Sequence, residues 1–303
     1  MNSKLVSIGD INWDVIVRVP GLPGPDGEVE ASGLSEAPGG DACNVAVAFS
    51  LLGGRAGMIG AVGQDPVGEA LLQRLSEAGV DTAGVRRVNA PTGRAFSLVE
   101  PGGERRLFYL RGANSLRKLE EADLQLLGEA DWIFLADPLP STVAQLGDWL
   151  AAGKIRKGLA LDPGSGGTAK GLKFFSPLLP HLSVLFLNEP EALALSSRDE
   201  LKSAVQRLLQ LVPLAVVKRG RKGALAASHQ GTFHSPALPV RAVDTTGCGD
   251  AFNAAFLLSY IQGSPLQEAL IWGNAAGAIT ATRYGARMPT RKELEELIKE
   301  VQK

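Results

Sequence analysis

The sequence has few of the residues that build disulfide scaffolds and metal centres. Its 303 residues include two cysteines, Cys43 and Cys248, and three histidines. Two cysteines indicate reduced thiols of an intracellular protein rather than a disulfide framework. The histidines, His181, His229 and His234, lack the spacing of metal ligands. We therefore expect a cytoplasmic protein without a histidine-based metal site.

An excess of charge of one sign is missing, and so are long apolar runs. The 31 basic residues balance 32 acidic ones, and the formal net charge is −1. This mixture argues against a nucleic-acid-binding surface. No apolar run approaches the length of a membrane span, and the start of the chain shows no signal-peptide pattern. We expect a soluble protein whose partners are small molecules, with no nucleic acid and no membrane among them.

A third absence concerns nucleotide binding. The P-loop pattern GxxxxGK[ST], whose glycine-rich turn and lysine cradle phosphates, does not occur in the sequence. If the protein uses a nucleotide, another arrangement must hold its phosphates.

What the sequence does contain is an alternation of short apolar runs and amphipathic helical patterns. Strands are predicted at residues 5–8, 58–62, 132–135, 159–161, 184–187 and 214–218, and helices at 42–52, 68–78, 142–152, 190–195, 199–211 and 266–283. The alternation predicts an α/β fold with a doubly wound, mostly parallel sheet flanked by helices, in one domain over residues 1–303. Ligands of such sheets bind beyond the carboxyl ends of the strands.

Two segments interrupt this alternation. Residues 15–19 form an apolar run before a stretch rich in proline and glycine at 20–27. Residues 94–100 and 105–110 have the pattern of two strands joined by Pro101-Gly102-Gly103, a hairpin signal. We expect a small β-sheet built from about residues 13–37 and 91–112.

Residues 244–253, DTTGCGDAFN, are the most informative stretch of the chain. The apolar spacing after them predicts a helix that begins near Gly249. Open amides and the helix dipole at such a start attract an anion, and Asp250 would contact it. This combination suits phosphoryl transfer to a hydroxyl group, with the carboxylate as base. The helix dipole should lower the pKa of Asp250. The alternative to a catalytic role is that Asp250 only caps the helix.

The stretch DTTGCGDAFNAAF resembles the C-terminal signature DTxGAGDxF of the ribokinase-like (PfkB) carbohydrate kinases. The family's other signature is matched by residues 39–46, GGDACNVA, about 200 residues earlier. The resemblance implies an ATP- and Mg²⁺-dependent kinase that phosphorylates a hydroxymethyl group of a small sugar, with the small sheet as a lid. It makes Asp250 the base and the amides of Gly247, Cys248 and Gly249 the anion hole.

The resemblance also implies how the nucleotide and the cations are held. Asn188 and Glu191 match an NxxE motif in which the glutamate organises Mg²⁺ through water. Residues 244–246 and 285–290 match loops that form a monovalent-cation site for K⁺ in many relatives, here with Asp244 and Ala286. The nucleotide-binding positions implied are Asn188, Lys218, Gly220, Gly223, Thr246, Gly247, Gly249 and Asn274.

On the sugar side, Asn12 and Asp14 alternate with apolar residues, so both side chains leave one face of an extended chain. In the family these positions bind sugar hydroxyls. An ionised carboxylate is well suited to accept hydrogen bonds from two adjacent hydroxyls. Asp41 lies at a position that differs among relatives and is expected to tune specificity. The other substrate-binding positions implied are Gly39, Gly40, Asn44, Tyr109 and Arg111.

Four alternatives for the function stay open, and three of them are acceptors of a kinase. A neutral sugar comes first. Tyr109 and Arg111 resemble a Tyr-x-Arg of 2-keto-3-deoxygluconate kinases, but residues 162–166, DPGSG, lack the second arginine of those enzymes. A purine nucleoside would need an apolar pocket, which Trp13 and Phe108 could supply. A catalytically silent sugar-binding protein is the non-enzymatic alternative. We also expect a homodimer formed through the lid.

Overall fold

The secondary structure alternates between strands and helices over most of the chain, in a computed structural model that describes residues 3–101 and 105–301. In chain order the strands are β1 (Lys4–Ile8), β2 (Asn12–Arg18), β3 (Gly33–Gly39), β4 (Arg55–Gly63), β5 (Val80–Val88), β6 (Gly93–Val99), β7 (Arg105–Leu110), β8 (Trp132–Ala136), β9 (Gly158–Asp162), β10 (Val184–Asn188), β11 (Leu214–Lys218), β12 (Ala224–Ser228) and β13 (Gly231–Ser235). The helices are α1 (Asp41–Leu51), α2 (Pro66–Glu77), α3 (Asp123–Glu129), α4 (Pro140–Ala151), α5 (Gly164–Thr168), α6 (Glu189–Ser196), α7 (Leu201–Leu208), α8 (Cys248–Ile261), α9 (Leu266–Ala281) and α10 (Arg291–Val301).

Nine of the described strands form the main sheet, in the order β13-β12-β11-β10-β9-β8-β1-β4-β5. The pairs from β11 to β5 are parallel, and β12 and β13 extend the sheet as an antiparallel hairpin. The chain winds outward in one direction from β1 and in the other from β8. The predicted doubly wound α/β sheet is confirmed, and its switch point lies between β1 and β8.

Alternating side chains of each central strand fill two cores on opposite faces of this sheet. In β8, Phe134 and Ala136 join a core with α1, α8 and α9, whereas Ile133 and Leu135 join a core with α4, α6 and α7. Because both faces are buried, the strands are apolar at consecutive positions. That pattern is what made them recognisable as short apolar runs.

A separate small sheet has the order β3-β2-β6-β7, with β2 and β6 parallel and the outer pairs antiparallel. The register places Asp14 beside Ala37 and Ala95 on one face. It places Phe96 beside Phe108 on the other face, which we call the outer face. Phe108 and Leu34 of the outer face are 60% and 62% exposed. The two predicted segments therefore do form one sheet, although Gly102 and Gly103 of the expected turn lie outside the described residues.

The sequence patterns missed several elements. Strand β5 carries few apolar side chains and contains Gly84, so it lacks the apolar run used to recognise its neighbours. Strand β12 is rich in alanine, a residue with little preference for strands. Helix α3 has only seven residues, too few to show helical periodicity.

In the described part of the chain, none of the helices combines the length and apolar character needed to cross a bilayer.

Candidate active site

A glycine-rich turn connects the loop after β13 to helix α8. The helix begins at Cys248 with Gly247 as its N-cap, which confirms the predicted helix start. Gly247 has φ of 74°, and a Cβ on it would lie 2.7 Å from that of Ala286. The turn thus needs glycine both for its backbone conformation and for its contact with the loop at 285–288.

The carboxylate of Asp244 ties these two loops together. Its Oδ1 accepts from the amide of Thr246 at 2.9 Å and from the Thr246 hydroxyl at 2.7 Å. Its Oδ2 accepts from the amide of Gly285 at 2.8 Å. Both oxygens of Asp244 are therefore engaged by protein donors, and the carboxylate fixes the loops that surround the start of α8.

Asp250 occupies the first turn of α8 and is buried. Its Oδ2 accepts a hydrogen bond of 2.8 Å from the side-chain amide of Asn44, in the first turn of α1. Burial raises the pKa of Asp250 to about 6, while Asn44 and Lys218 act in the opposite direction. The expectation that the helix dipole lowers this pKa is wrong, because loss of solvent around the charged form outweighs the dipole.

Asp41 lies at the start of α1, exposed to the same cleft. The charge of Asp250 raises the pKa of Asp41 well above its ordinary value, and Asp162 and Asp137 act in the same direction. Asp41 and Asp250 therefore resist simultaneous ionisation and titrate as a linked pair.

Lys218, at the end of β11, anchors a polar group beside Asp250. Its Nζ donates to Oδ2 of Asp162 at 2.7 Å and to Oδ1 of Asn253 at 3.2 Å. The side-chain amide of Asn253 donates to the same Asp162 oxygen at 2.7 Å. Burial alone would lower the pKa of Lys218, but Asp162 and Asp250 raise it, so the ammonium is charged.

A cavity of about 290 Å³ lies between the small sheet and the carboxyl edge of the main sheet. We call it the acceptor cavity. Gly39 does not line it but supports Asp14, since a Cβ on Gly39 would collide with that carboxylate. Of the predicted sugar-binding residues, those that line it are Asn12, Asp14, Gly40, Asp41, Asn44, Tyr109 and Arg111.

Arg111 belongs to an ion-pair network at the switch point of the main sheet. Its Nη1 contacts Asp10 at 3.2 Å and its Nη2 contacts Asp137 at 2.8 Å. Arg117 also pairs with Asp10, from a fully buried position. Both terminal nitrogens of Arg111 already contact carboxylates, so its charge is largely balanced within the protein.

A second cavity, of about 760 Å³, lies on the other side of the α8 start. We call it the nucleotide cavity. Thr245 lines both cavities, and Lys218, Gly220, Gly223, Gly249 and Asn274 line this one. A Cβ on Gly223 would collide with the Ser235 carbonyl. The side-chain amide of Asn274 donates to the carbonyls of Ser235 and Pro236 at 3.1 and 3.0 Å.

Asn188 and Glu191 lie behind these walls and not among the residues that line them. They form a reciprocal cap of α6: the Glu191 amide donates to Asn188 Oδ1 at 2.8 Å, and Glu191 Oε2 accepts from the Asn188 amide at 2.9 Å. Burial, followed by the charge of Asp162, raises the pKa of Glu191. A carboxylate such as Glu191 suits the waters of a hydrated divalent cation, although no cluster of three or more acidic, histidine or cysteine ligands occurs within residues 3–101 and 105–301.

Several residues of the acceptor cavity were missed by the sequence analysis. Asp10 and Asp137 line the cavity and follow the ends of β1 and β8 within two residues, and Asp162, which holds Lys218 nearby, ends β9. A search for carboxylates at strand ends would have found them, because parallel strands bring these ends to one edge. Conversely, Trp13 does not line the acceptor cavity and Phe108 lies on the outer face, so neither supplies the base pocket that a nucleoside would need.

Thr245 lines both cavities, while Asp250 lines the acceptor cavity and its neighbour Gly249 lines the nucleotide cavity. Residues 2–293 match the pfkB family of carbohydrate kinases. The chain belongs to this family. It is therefore a phosphotransferase with a sugar as acceptor, and the ribokinase-like resemblance of its two signatures is confirmed.

Similar pfkB proteins cover nearly the full length of this chain. An ATP-dependent ribose-1-phosphate kinase of Halopiger xanaduensis is 35% identical over 94% of this chain and 94% of its own. Ribokinase of Bacillus subtilis is 30% identical over 96% and 98% of the two chains. Among solved structures, ribokinase of Thermotoga maritima superposes with a TM-score of 0.86 at 31% identity, covering 99% of this chain and 100% of that one. Ribokinase of Arabidopsis thaliana, complexed with ribose and ATP, has a TM-score of 0.87 at 26% identity, covering 99% of each chain.

Proposed function

We propose that this kinase transfers the γ-phosphoryl group of ATP to a hydroxymethyl group of a small neutral sugar. The observation that carries the proposal is the position of Asp250, which lines the acceptor cavity, directly follows Gly249 of the nucleotide cavity and has a pKa of about 6. A carboxylate with such a pKa is ionised at neutral pH and still basic enough to accept a hydroxyl proton.

On the acceptor side, the chain's residues bind and orient the sugar. Asp14 accepts hydrogen bonds from its hydroxyls. The side-chain amide of Asn114 donates to Asn12 Oδ1 at 2.8 Å, so Asn12 donates to a sugar hydroxyl through Nδ2. Asn44 holds Oδ2 of Asp250 and so directs its other oxygen to the reacting hydroxyl. Asp250 accepts the hydroxyl proton as the oxygen attacks phosphorus.

On the phosphoryl side, amides at the start of α8 stabilise the charge of the transferred group. The Cys248 amide already donates to the Thr245 carbonyl at 3.3 Å, so we assign this role chiefly to Gly247 and Gly249. Lys218 lies close enough to Gly249 that a Cβ there would be 3.4 Å from its Nζ. Its ammonium, held by Asp162 and Asn253, therefore supplies a fixed positive charge at the same place.

The nucleotide and its cations are assigned by charge and shape. Backbone at Gly220 and Gly223 approaches the phosphates and ribose, and Val240 and Asn274 lie along the base. Glu191, with Asn188, would hold the waters of Mg²⁺, and the ion would supply positive charge to the phosphoryl oxygens. We assign K⁺ to the two loops that Asp244 joins, with the Ala286 carbonyl as a ligand. Because protein donors engage both Asp244 oxygens, Asp244 orders these loops and does not bind the cation itself.

We further propose that the small sheet is a lid on a single domain and that a second copy of the chain covers it. Leu34, Phe96, Phe108 and Leu110 expose apolar surface on the outer face, and an uncovered apolar sheet face favours association. We place the protein in the cytoplasm, where ATP and reduced thiols such as Cys43 are maintained.

The ordering of acceptors follows the charge of the acceptor cavity. Five aspartates line it beside one arginine that pairs with two of them, which favours a neutral sugar over a sugar acid. A pentose such as ribose fits the names of two relatives. Ribose 1-phosphate is a second candidate, because the Halopiger relative at 35% identity acts on it by name.

The deciding experiment is a coupled ADP-release screen over ribose, ribose 1-phosphate, fructose, hexose phosphates, 2-keto-3-deoxygluconate, adenosine and inosine. We expect ribose or another neutral sugar to have the highest kcat/KM, with Asp250→Asn as the blank. A preference for a nucleoside or a sugar acid would contradict the proposed acceptor. No turnover of any compound, with ATP binding intact, would support the silent sugar-binding alternative.

A further inference from the structure

A third cavity, of about 570 Å³, lies between the small sheet and the loop at 282–287. We call it the arginine cavity, because Arg18, Arg283 and Arg287 line it. Arg18 comes from β2 and the other two come from the body of the protein. Ile16 lines both this cavity and the acceptor cavity, so one side chain separates the two.

Two of the three guanidinium groups lack a balancing charge. Arg283 pairs with Glu293 and donates to the Met288 carbonyl at 3.5 Å. Within residues 3–101 and 105–301, neither Arg18 nor Arg287 has an ion pair or a side-chain hydrogen bond. Arg18 lies with its guanidinium carbon 5.3 Å from the Tyr284 ring centroid, which holds it in place without neutralising it.

Among the described residues that line this cavity, Glu36 alone carries a carboxylate, and it belongs to the opposite face of the small sheet. Glu36 pairs with Val15 in the register, whereas Ser35 pairs with Ile16 on the face that Arg18 shares. Because successive strand residues point to opposite faces, the Glu36 carboxylate is directed away from Arg18. Hydroxyls of Ser35 and Tyr284 add neutral hydrogen-bond donors.

We infer that the arginine cavity binds a phosphate monoester. Two uncompensated guanidinium groups and two hydroxyl donors that line one cavity match the charge and the hydrogen-bonding capacity of a phosphate group. The group could be the acceptor's own phosphate, extending past Ile16, or that of a separate effector. This inference deepens the proposed function, on which its acceptor arm rests.

Binding is tested first, without catalysis. Inorganic phosphate is titrated calorimetrically into wild type, Arg287→Gln, Arg18→Gln and the control Arg156→Gln. Arg156 is an exposed residue that precedes β9, at the amino-terminal ends of the strands and away from the cavities. We expect Arg287→Gln and Arg18→Gln each to weaken phosphate binding about tenfold, as loss of a charge-assisted hydrogen bond implies, and Arg156→Gln to leave it unchanged. Arg287 is exposed, so its variant should fold normally. Equal phosphate binding by all four proteins overturns the inference.

Kinetics then distinguish the two sources of phosphate. An acceptor phosphate predicts that Arg18→Gln and Arg287→Gln each raise the ratio of KM for ribose 1-phosphate to KM for ribose about tenfold. An effector phosphate predicts that inorganic phosphate changes KM for ribose in wild type and not in Arg287→Gln. If no sugar is phosphorylated at all, the proposed function fails while the binding experiment still decides on the site.

Discussion

The acceptor cavity and the nucleotide cavity are adjacent, but they differ in the kinds of residues that line them. The acceptor cavity presents charged and amide side chains from β2, α1, α8 and the segments that follow β1, β7 and β8, five of them aspartates. The nucleotide cavity presents glycines, small residues and backbone from β11, α8 and α9, with Lys218 at its inner end. A sugar differs from its competitors in its hydroxyls, so side chains must recognise them one by one, whereas a nucleotide can be held by shape and by backbone amides.

This difference predicts where single substitutions should matter. Side-chain truncations in the acceptor cavity should be costly because each leaves a hydroxyl or a buried partner unpaired. In the nucleotide cavity, truncation of one side chain should cost less. Lys218 is the expected exception, because its ammonium is held by Asp162 and Asn253, whereas Arg221 and Arg241 of the same cavity are exposed.

The largest effect is expected at the start of α8, which borders both cavities. Asp250→Asn removes the proposed base while keeping the side-chain shape, so kcat should fall by about 10²–10⁴-fold. Steady-state kinetics with the preferred sugar measure this, and calorimetric titration with ATP should show unchanged binding. Activity within about threefold of wild type would remove Asp250 from the mechanism.

Lys218→Met tests the exception in the nucleotide cavity. Loss of a fixed positive charge beside the transferred group should lower kcat by about 100-fold. Lys222→Met is the matched control, because Lys222 lies in the same turn with its side chain 68% exposed and should change kcat little. Similar losses in both variants would mean that the effect comes from the net charge of the turn.

Asp14→Ala tests recognition in the acceptor cavity. The kcat/KM for the sugar should fall by about 10- to 100-fold, as expected for losing hydrogen bonds to a charged group, while KM for ATP stays unchanged. Asp199→Ala changes an exposed aspartate between α6 and α7 and provides the control. A parallel rise in both KM values would show that Asp14 supports the fold around both cavities.

The raised pKa of Asp250 predicts a pH dependence. The base must be ionised, so kcat/KM should be constant near neutral pH and fall as pH drops through about 6, the pKa of Asp250. At pH 5 the rate should be about tenfold below its value at pH 7. An acidic limb centred below pH 4.5, measured with the preferred sugar, would contradict the buried environment described for Asp250.

Asn274→Ala should give the smallest effect. The Asn274 amide fixes the Ser235 and Pro236 carbonyls at the edge of the nucleotide cavity, so its loss should raise KM for ATP about threefold, the cost of a neutral hydrogen bond. KM for the sugar serves as the internal control. A larger change for the sugar than for ATP would mean that the two cavities are coupled through α9.

The sequence alone determined the features that depend on neighbouring residues. Apolar runs and helical spacing located β11, α8 and most of the flanking elements, because burial on both sheet faces leaves a local pattern. The turn before Asp250 was recognisable since glycine at a positive φ and a helix start are encoded within a few positions.

Only the tertiary structure decided which distant residues meet. Lys218 finds Asp162 and Asn253 at separations of 56 and 35 residues, and Arg111 joins Asp10 to Asp137 across the switch point of the sheet. The direction of the Asp250 pKa shift followed from burial, which no local pattern expresses. Desolvation and ion pairing depend on the three-dimensional surroundings of a charge, whereas helix and strand periodicity depend on the order of residues along the chain.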